Sequence, residues 1–579
     1  NGDLIPLNSN DTLRMATLSL GVNGTTPFQD MADNFAATAH FYHPYDDLGS
    51  FTDSLLAALK PYNLIIVGLH GLSYRPQTHY GMTPELLSLL SRLQAQKTVI
   101  LDIFGSPYAL TELDSLQHAA AVLVSYQDCP DAQEVSAQII FGSLPALGHL
   151  PVTGSVSFPL NSGIVTRKTG KLAYVIPEEA GVSRANLYGI DSLINRCIAD
   201  SVFPGCQVMA AKDGKVFYQR SFGYHRYDRS RPVKNTDLYD LASITKVAAT
   251  TLAVMKLYDE GRIDLDKTLS DYLPFVRGTD KGPIRLRDMM THQARLKAWI
   301  PFYQEVVHDG MPDTSVFSRA VSVRFPYRVA EDLYIRRDYP DILYDTIVAS
   351  PLLKQKKYLY SDLGFYFLKR IVEDITNKPL ENYVEQNFYR PLGLTTICFR
   401  PLEHVSRDNI VPTEVDTIFR HQLLWGDVHD PGAAMLGGVS GHAGLFSDAN
   451  DLMVIMQMLL QHGRYAGKQY IDSVTVAEFT RRQFPGSDNR RGLGFDKPDT
   501  ALKDKGPACI LASPESFGHT GFTGTYLWAD PANGLIFVFL SNRVHPSALN
   551  NKLIDRDIRT TLQKMFYEAL KKARKPGAL

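Results

Sequence analysis

The stretch Leu241-Ala-Ser243-Ile-Thr-Lys246 opens a run of helix formers that continues to Glu260 and stops at Gly261. If Ser243 starts that helix, Lys246 lies one turn further on the same face. The lysine amine can then approach the serine hydroxyl and take its proton, once burial or a neighbouring charge has lowered the lysine pKa. A helix N-terminus also stabilises the negative charge that develops there. Serine and lysine at this spacing are common by chance. The bland alternative is an N-cap serine followed by a surface lysine.

Two tripeptides downstream supply context. Tyr360-Ser361-Asp362 precedes a helical run, Leu363–Ile375. His519-Thr520-Gly521 stands directly before a pair of β-rich runs, Gly524–Ala529 and Leu535–Ser541, joined by Asp530-Pro-Ala-Asn-Gly534. Nearer the start, Cys206–Ala211 and Lys215–Arg220 flank Lys212-Asp-Gly214, a hairpin signal because Asp-Gly supplies positive φ. Ser183–Ala199 has helical periodicity with Ser183 as N-cap, and Asp555–Lys572 reads as a closing helix. Strands from both ends of the segment with a helical middle make an α+β plan.

A nucleophile on a helix start, a Tyr-x-Asn-like tripeptide and a Lys-Thr-Gly-like tripeptide, in that order, form a known constellation. Here the chain resembles the serine β-lactamase and penicillin-binding-protein superfamily, in its class C and esterase branch, over about residues 183–570. The resemblance implies Ser243 as nucleophile, with Lys246 and Tyr360 sharing its proton. It implies an oxyanion site at the backbone N–H groups of Ser243 and Phe522. His519, Asp362, Thr520 and Gly521 would line the substrate. Asp362 and His519 depart from the pattern, which has Asn and Lys there; histidine is a weaker, pH-dependent cation. Both departures argue against a dedicated β-lactamase.

The middle segment narrows the resemblance. Val411-Pro-Thr-Glu-Val-Asp416, Gly426-Asp-Val-His429-Asp430 and Gly437-Gly-Val-Ser-Gly441-His442-Ala-Gly444 are similar to a bacterial subgroup of N-acetylmuramoyl-L-alanine amidases of this fold. The glycines permit close backbone approach near a pocket. His442 reads either as a substrate contact or as a structural tie. Trp299-Ile-Pro-Phe-Tyr303 reads either as an aromatic wall for a sugar ring or as core. Asp448 is expected to cap the next helix. His421 and His429 lack metal-ligand spacing, so neither a metal nor another cofactor is expected.

Residues 1–160 read differently. β-rich runs at Thr17–Val22, Leu64–Leu69, Thr98–Ile103 and Ala121–Tyr126 alternate with helical stretches at Ser50–Leu59, Thr83–Gln96 and Asp131–Phe141. That alternation predicts βαβ units around a parallel sheet. Ile103-Phe-Gly-Ser-Pro107-Tyr, Val124-Ser-Tyr126 and Gly148-His-Leu-Pro-Val-Thr153 resemble the α/β domain that follows the barrel in family 3 glycoside hydrolases, in the β-N-acetylglucosaminidase subgroup. The resemblance implies a scaffold domain whose catalytic barrel, absent here, is fused ahead of it in the full-length protein.

The expected organisation is therefore multidomain: an α/β parallel-sheet domain over residues 1–160, a Gly/Pro/Ser-rich linker over 161–182, and an α+β hydrolase domain over 183–579. The whole chain of 579 residues has a net charge of −1, which argues against a nucleic-acid partner. Residues 1–160 carry 5 Lys/Arg against 14 Asp/Glu, whereas the rest is net +8. No apolar run is long enough to span a membrane. Five scattered cysteines make no disulfide framework. The chain starts at Asn1 without a signal pattern, so the compartment, periplasmic or otherwise extracytoplasmic, rests on the resemblance.

The leading functional expectation is a serine amidase acting on muropeptides in bacterial cell-wall turnover. An esterase, a D-peptidase or a weak β-lactamase of the same fold is the alternative. A non-catalytic cell-wall binding module is the third reading.

Overall fold

A computed structural model describes residues 4–7, 13–114, 119–499 and 506–573. The chain divides into two compact units. The first is residues 1–173 with 389–395 and 465–467; the second is the remainder.

The first unit is a five-stranded sheet, all pairs parallel: β1 (Met15–Leu20), β2 (Thr38–His43), β3 (Leu64–Leu69), β4 (Thr98–Ile103) and β5 (Ala121–Val124), in the order β2-β1-β3-β4-β5. Every residue of β3 is buried, as expected of a parallel strand covered on both faces. Asp102 interrupts the apolar run of β4 and is tolerated because Ser125 and Ser136 donate to its carboxylate. Burial still pushes its pKa up to about 6. The sequence reading misses β2, whose residues Thr-Ala-His-Phe-Tyr-His contain no Val/Ile run and are mostly only partly buried at the sheet edge. β1 ends at Leu20 rather than Val22, since Gly21 turns the chain at φ 91°.

The second unit is built on an antiparallel sheet. Its five long strands run in the order Phe517–Thr520, Tyr526–Asp530, Leu535–Ser541, Gly205–Lys212, Lys215–Gly223. Chain-distant strands thus meet at the centre, where Leu535–Ser541 pairs with Gly205–Lys212. The 212–215 turn is the two-residue type that Asp213 and Gly214 permit, both at positive φ. Phe537, Trp528 and Phe539 on one face pack with Ile190, Ile194, Leu562 and Phe566. Those four residues come from the helices Tyr188–Ala199 and Ile558–Ala573. Ser183 does not cap as expected: a 3₁₀ turn, Arg184–Leu187, precedes the α-helix and the serine side chain makes no cap bond. Asp448 does cap, accepting from the Asp451 N–H at 2.9 Å.

The run that starts at Ser243 is less regular than its sequence suggests. Ala242–Ile244 is one 3₁₀ turn, Lys246–Thr251 is a π-helical turn and Leu252–Asp259 is α-helix. Such π turns are costly and gather at functional sites. Among the described residues no helix is long and apolar enough to cross a membrane.

Candidate active site

Ser243 sits on a turn held by Asp240. One Asp240 oxygen accepts from the Ala242 N–H at 2.8 Å, the other from the His429 N–H at 2.7 Å. Ala242 is thereby fixed at φ 45°, a left-handed conformation that costs a non-glycine residue about 1 kcal/mol or more. The strain presents the Ser243 side chain to a cleft of about 970 Å³. One turn on, Lys246 is completely buried. Its Nζ donates to Ser243 Oγ at 2.8 Å, to Asp362 Oδ1 at 2.7 Å and to the His442 carbonyl at 3.4 Å. It also stands 4.9 Å from the centre of the Tyr360 ring. The surface-lysine alternative is thereby excluded.

The Tyr360-Ser361-Asp362 tripeptide is fixed from outside. The Ser361 hydroxyl donates to the Lys297 carbonyl at 2.6 Å, the Ser361 N–H reaches His292 Nδ1 at 3.2 Å, and the Asp362 N–H reaches the Ala298 carbonyl at 2.9 Å. His292 lies against the Tyr360 ring, with centroids 4.5 Å apart. Tyr360 lines the cleft together with Ser243 and Asp362.

The charge state of Lys246 corrects the sequence expectation. Burial alone would lower its pKa, but the Asp362 carboxylate beside it pulls the other way, and the value ends above that of an ordinary lysine. Lys246 is an ammonium at rest, not a free amine awaiting a proton. Tyr360 is likewise a neutral phenol: burial raises its pKa, and the lowering pull of Lys246 only partly offsets this.

The edge strand Phe517–Thr520 carries the third tripeptide. His519 is buried, and its Nδ1 contacts the Thr520 carbonyl at 2.7 Å. Burial, Arg491 and Lys246 together hold its pKa well below the usual 6.5. It is a neutral ring standing 5.9 Å from Tyr360, centre to centre, and its Nε2 has no protein partner. It lines the same cleft as Ser243, Tyr360 and Thr520. Gly521 turns the chain with no room for a side chain: a Cβ would meet Thr525 Oγ1 and come within 2.5 Å of the Leu241 carbonyl. Thr523 and Thr525 pin this turn to the Asp240 and Leu241 carbonyls at 2.7 and 3.1 Å. The Phe522 N–H has no backbone acceptor among the described residues and lies beside the cleft with Ser243, where an oxyanion can sit.

His442 is a structural tie. Its Nδ1 pairs with Ser440 Oγ at 2.8 Å and its Nε2 with Asp430 Oδ1 at 3.0 Å, so neither nitrogen is left for a substrate. The glycines around it allow tight packing: a Cβ on Gly441 would strike the Phe365 carbonyl. His429 pairs with Glu414 at 2.8 Å. Trp299 is 53% exposed and lines the cleft with Tyr303, while Phe302 is core. The aromatic segment is thus divided between the two expected roles.

Sequence reasoning missed two guanidinium groups in the same cleft. Arg543 lies 4.6 Å over the Phe522 ring and donates to the Ala548 and Asn550 carbonyls at 3.2 and 2.8 Å. Arg559 reaches the Gly521 and Thr525 carbonyls at 3.4 and 3.3 Å; burial presses its pKa down to about 10. Among the described residues neither is in a salt bridge; Glu414 and Asp557 act on Arg543 and Arg559 only through their charge. The only signal in the sequence is position: Arg543 falls two residues beyond the central strand, and Arg559 falls on the closing helix.

A family model described as beta-lactamase matches residues 190–560. A "Putative D-alanyl-D-alanine carboxypeptidase" of Salmonella schwarzengrund (strain CVM19633) is 35% identical over 406 residues, covering 65% of this chain and 87% of the relative. One of the same name from Salmonella typhi gives the same figures. Among solved structures, "EstCE1, a hydrolase with promiscuous acyltransferase activity" superposes with a TM-score of 0.50 at 19% identity, over 66% of this chain and 99% of that one, a likeness of fold.

Proposed function

The chain belongs to the beta-lactamase family, and from that premise we propose that this serine hydrolase cleaves amide bonds in the stem peptides of peptidoglycan fragments through an acyl-enzyme on Ser243. Ser243 Oγ attacks the scissile carbonyl carbon. The oxyanion is held by the Ser243 and Phe522 N–H groups. Tyr360, which stands beside Lys246 and lines the cleft with Ser243, hands a proton to the departing amine. Water then releases the acyl group by the same route.

The observation that favours a D-alanyl carboxypeptidase is the pair Arg543 and Arg559. Both are cations without a carboxylate partner, set beside the Thr520–Phe522 edge where a terminal carboxylate of the leaving residue would lie. The cation missing at His519 is thereby supplied from two neighbouring elements. The names of the Salmonella relatives point the same way. The second reading, hydrolysis of the N-acetylmuramoyl-L-alanine linkage, is favoured by the exposed Trp299 on the cleft, a surface on which a sugar ring stacks.

Mass spectrometry of an N-acetylmuramoyl pentapeptide digest separates the two. Loss of one alanine marks the carboxypeptidase, and free pentapeptide marks the amidase. In this proposal the first unit is a non-catalytic scaffold of the family 3 glycoside hydrolase type, and the enzyme works outside the cytoplasm, where such peptides are exposed.

A further inference from the structure

Lys246 presents the chemical difficulty of this site. An ammonium whose N–H groups point at Ser243, Asp362 and the His442 carbonyl has no lone pair with which to take the serine proton. Asp362 is the carboxylate in direct contact with it, at 2.7 Å. We infer that Asp362 is a positioning residue that receives, through Lys246, the proton Ser243 loses, so that Lys246 and Asp362 act together as the base. The inference rests on the acyl-enzyme reading of the site.

As Ser243 Oγ bonds to the carbonyl carbon, the carbonyl π pair moves onto oxygen. One Lys246 N–H bond breaks first, its proton passing to Asp362 Oδ1 and its electron pair staying on Nζ as a lone pair. The amine turns that lone pair toward Ser243, whose O–H bond breaks as its proton passes to Nζ. Lys246 ends as an ammonium and the carboxylate as a carboxylic acid. On collapse, the C–N bond breaks with its electron pair going to nitrogen. A proton returns from Asp362 through Lys246 and Tyr360 to the leaving amine.

The surroundings suit this. The carboxylate is partly open to the cleft, at 24% exposure, whereas the Lys246 side chain has none. The proton is thus stored at the wetter end of the pair. His292 and His519 face the pair and remain neutral, held well below the usual histidine range chiefly by burial. Tyr360 and Tyr366 are pushed up by burial and remain phenols. Asp430 stays ionised, because His442 beside it outweighs its burial. Arg491, behind the two histidines, is paired with Asp496 at 3.3 Å. The competing role for Asp362 is the plain substrate contact that an Asn makes at this motif position.

The rate of Ser243 labelling by a fluorophosphonate, followed from about pH 4 to 10 in the parent, Asp362→Asn and Asp362→Glu, decides between them. The parent is expected to show a single acid limb, against which the variants are read. Asp362→Asn leaves a lysine that must shed its own proton, so its acid limb should move up by at least about two pH units, with recovery at high pH. Asp362→Glu should keep the parental limb. Asp362→Ser is the second test of the same expectation, should the Asn variant fold poorly. A uniform loss across all pH values, or an Asn variant with the parental limb, overturns the inference while leaving the acyl-enzyme reading intact. A parent that is never labelled at Ser243 overturns both.

Discussion

Lys246 Nζ lies 2.7 Å from Asp362 Oδ1, and that contact holds the lysine charged inside a site where burial alone would discharge it. A base formed by Lys246 alone would need the opposite arrangement. The pair is also what makes Lys246 costly to remove.

Lys246→Ala should abolish acylation of Ser243 and also weaken the fold. It empties a fully buried position and strands a carboxylate that is only a quarter exposed. The expected loss is about 1–3 kcal/mol, below the full value for a buried pair because water still screens Asp362. Thermal unfolding together with labelling of the variant checks both parts. Retained labelling would show that Lys246 has no part in the chemistry.

Gly521→Ala should impair both folding and turnover. The added methyl meets Thr525 Oγ1 and the Leu241 carbonyl, neither of which can retreat without moving the turn that carries Phe522. A cost of about 1–3 kcal/mol is expected for overpacking, with a larger fall in kcat than in substrate affinity, since the oxyanion donor moves. A variant with parental kcat would place the oxyanion elsewhere.

Acidification should destabilise the protein through His292 and His519. Their folded pKa values lie well below the unfolded value of about 6.5, so below that pH the unfolded chain binds protons that the folded chain does not. Stability is therefore lost as pH falls through 6.5, by up to about 1.4 kcal/mol per pH unit for each histidine. Melting curves between pH 7.5 and 5 should fall less steeply in His519→Gln than in the parent. Equal slopes would mean that His519 is protonated in the folded state.

Arg543→Ala and Arg559→Ala should each raise KM for a D-alanyl-D-alanine peptide with a free carboxylate, by about 10-fold or more, the worth of a charge-assisted hydrogen bond. The same peptide with an amidated C-terminus should be affected far less. Equal effects on both peptides would remove the carboxylate-recognition argument and leave the muramoyl linkage as the better substrate.

Much of this was legible in the sequence because it is local. Ser243 and Lys246 are three residues apart, and helix geometry fixes their meeting whatever the rest of the chain does. The Asp213-Gly214 turn and the buried run Leu64–Leu69 are likewise local signals. What the sequence hid is what depends on distant partners. The charge of Lys246 is set by a residue 116 positions away. The neutrality of His519 depends on its burial and on the charges of Arg491 and Lys246 arriving from other elements, and Arg543 and Arg559 carry no motif at all. Ser183 looked like a cap but makes no cap bond, since the 3₁₀ turn after it changes where the helix begins.

The central claim is a covalent intermediate on Ser243 during turnover of a stem peptide. Acid-quenched mass spectrometry of the protein mixed with an N-acetylmuramoyl pentapeptide tests it most directly. A mass increase equal to the acyl portion, mapped to the peptide containing Ser243 and absent from Ser243→Ala, is the predicted result. Hydrolysis of the pentapeptide by Ser243→Ala at the parental rate, or an adduct on another residue, would contradict it.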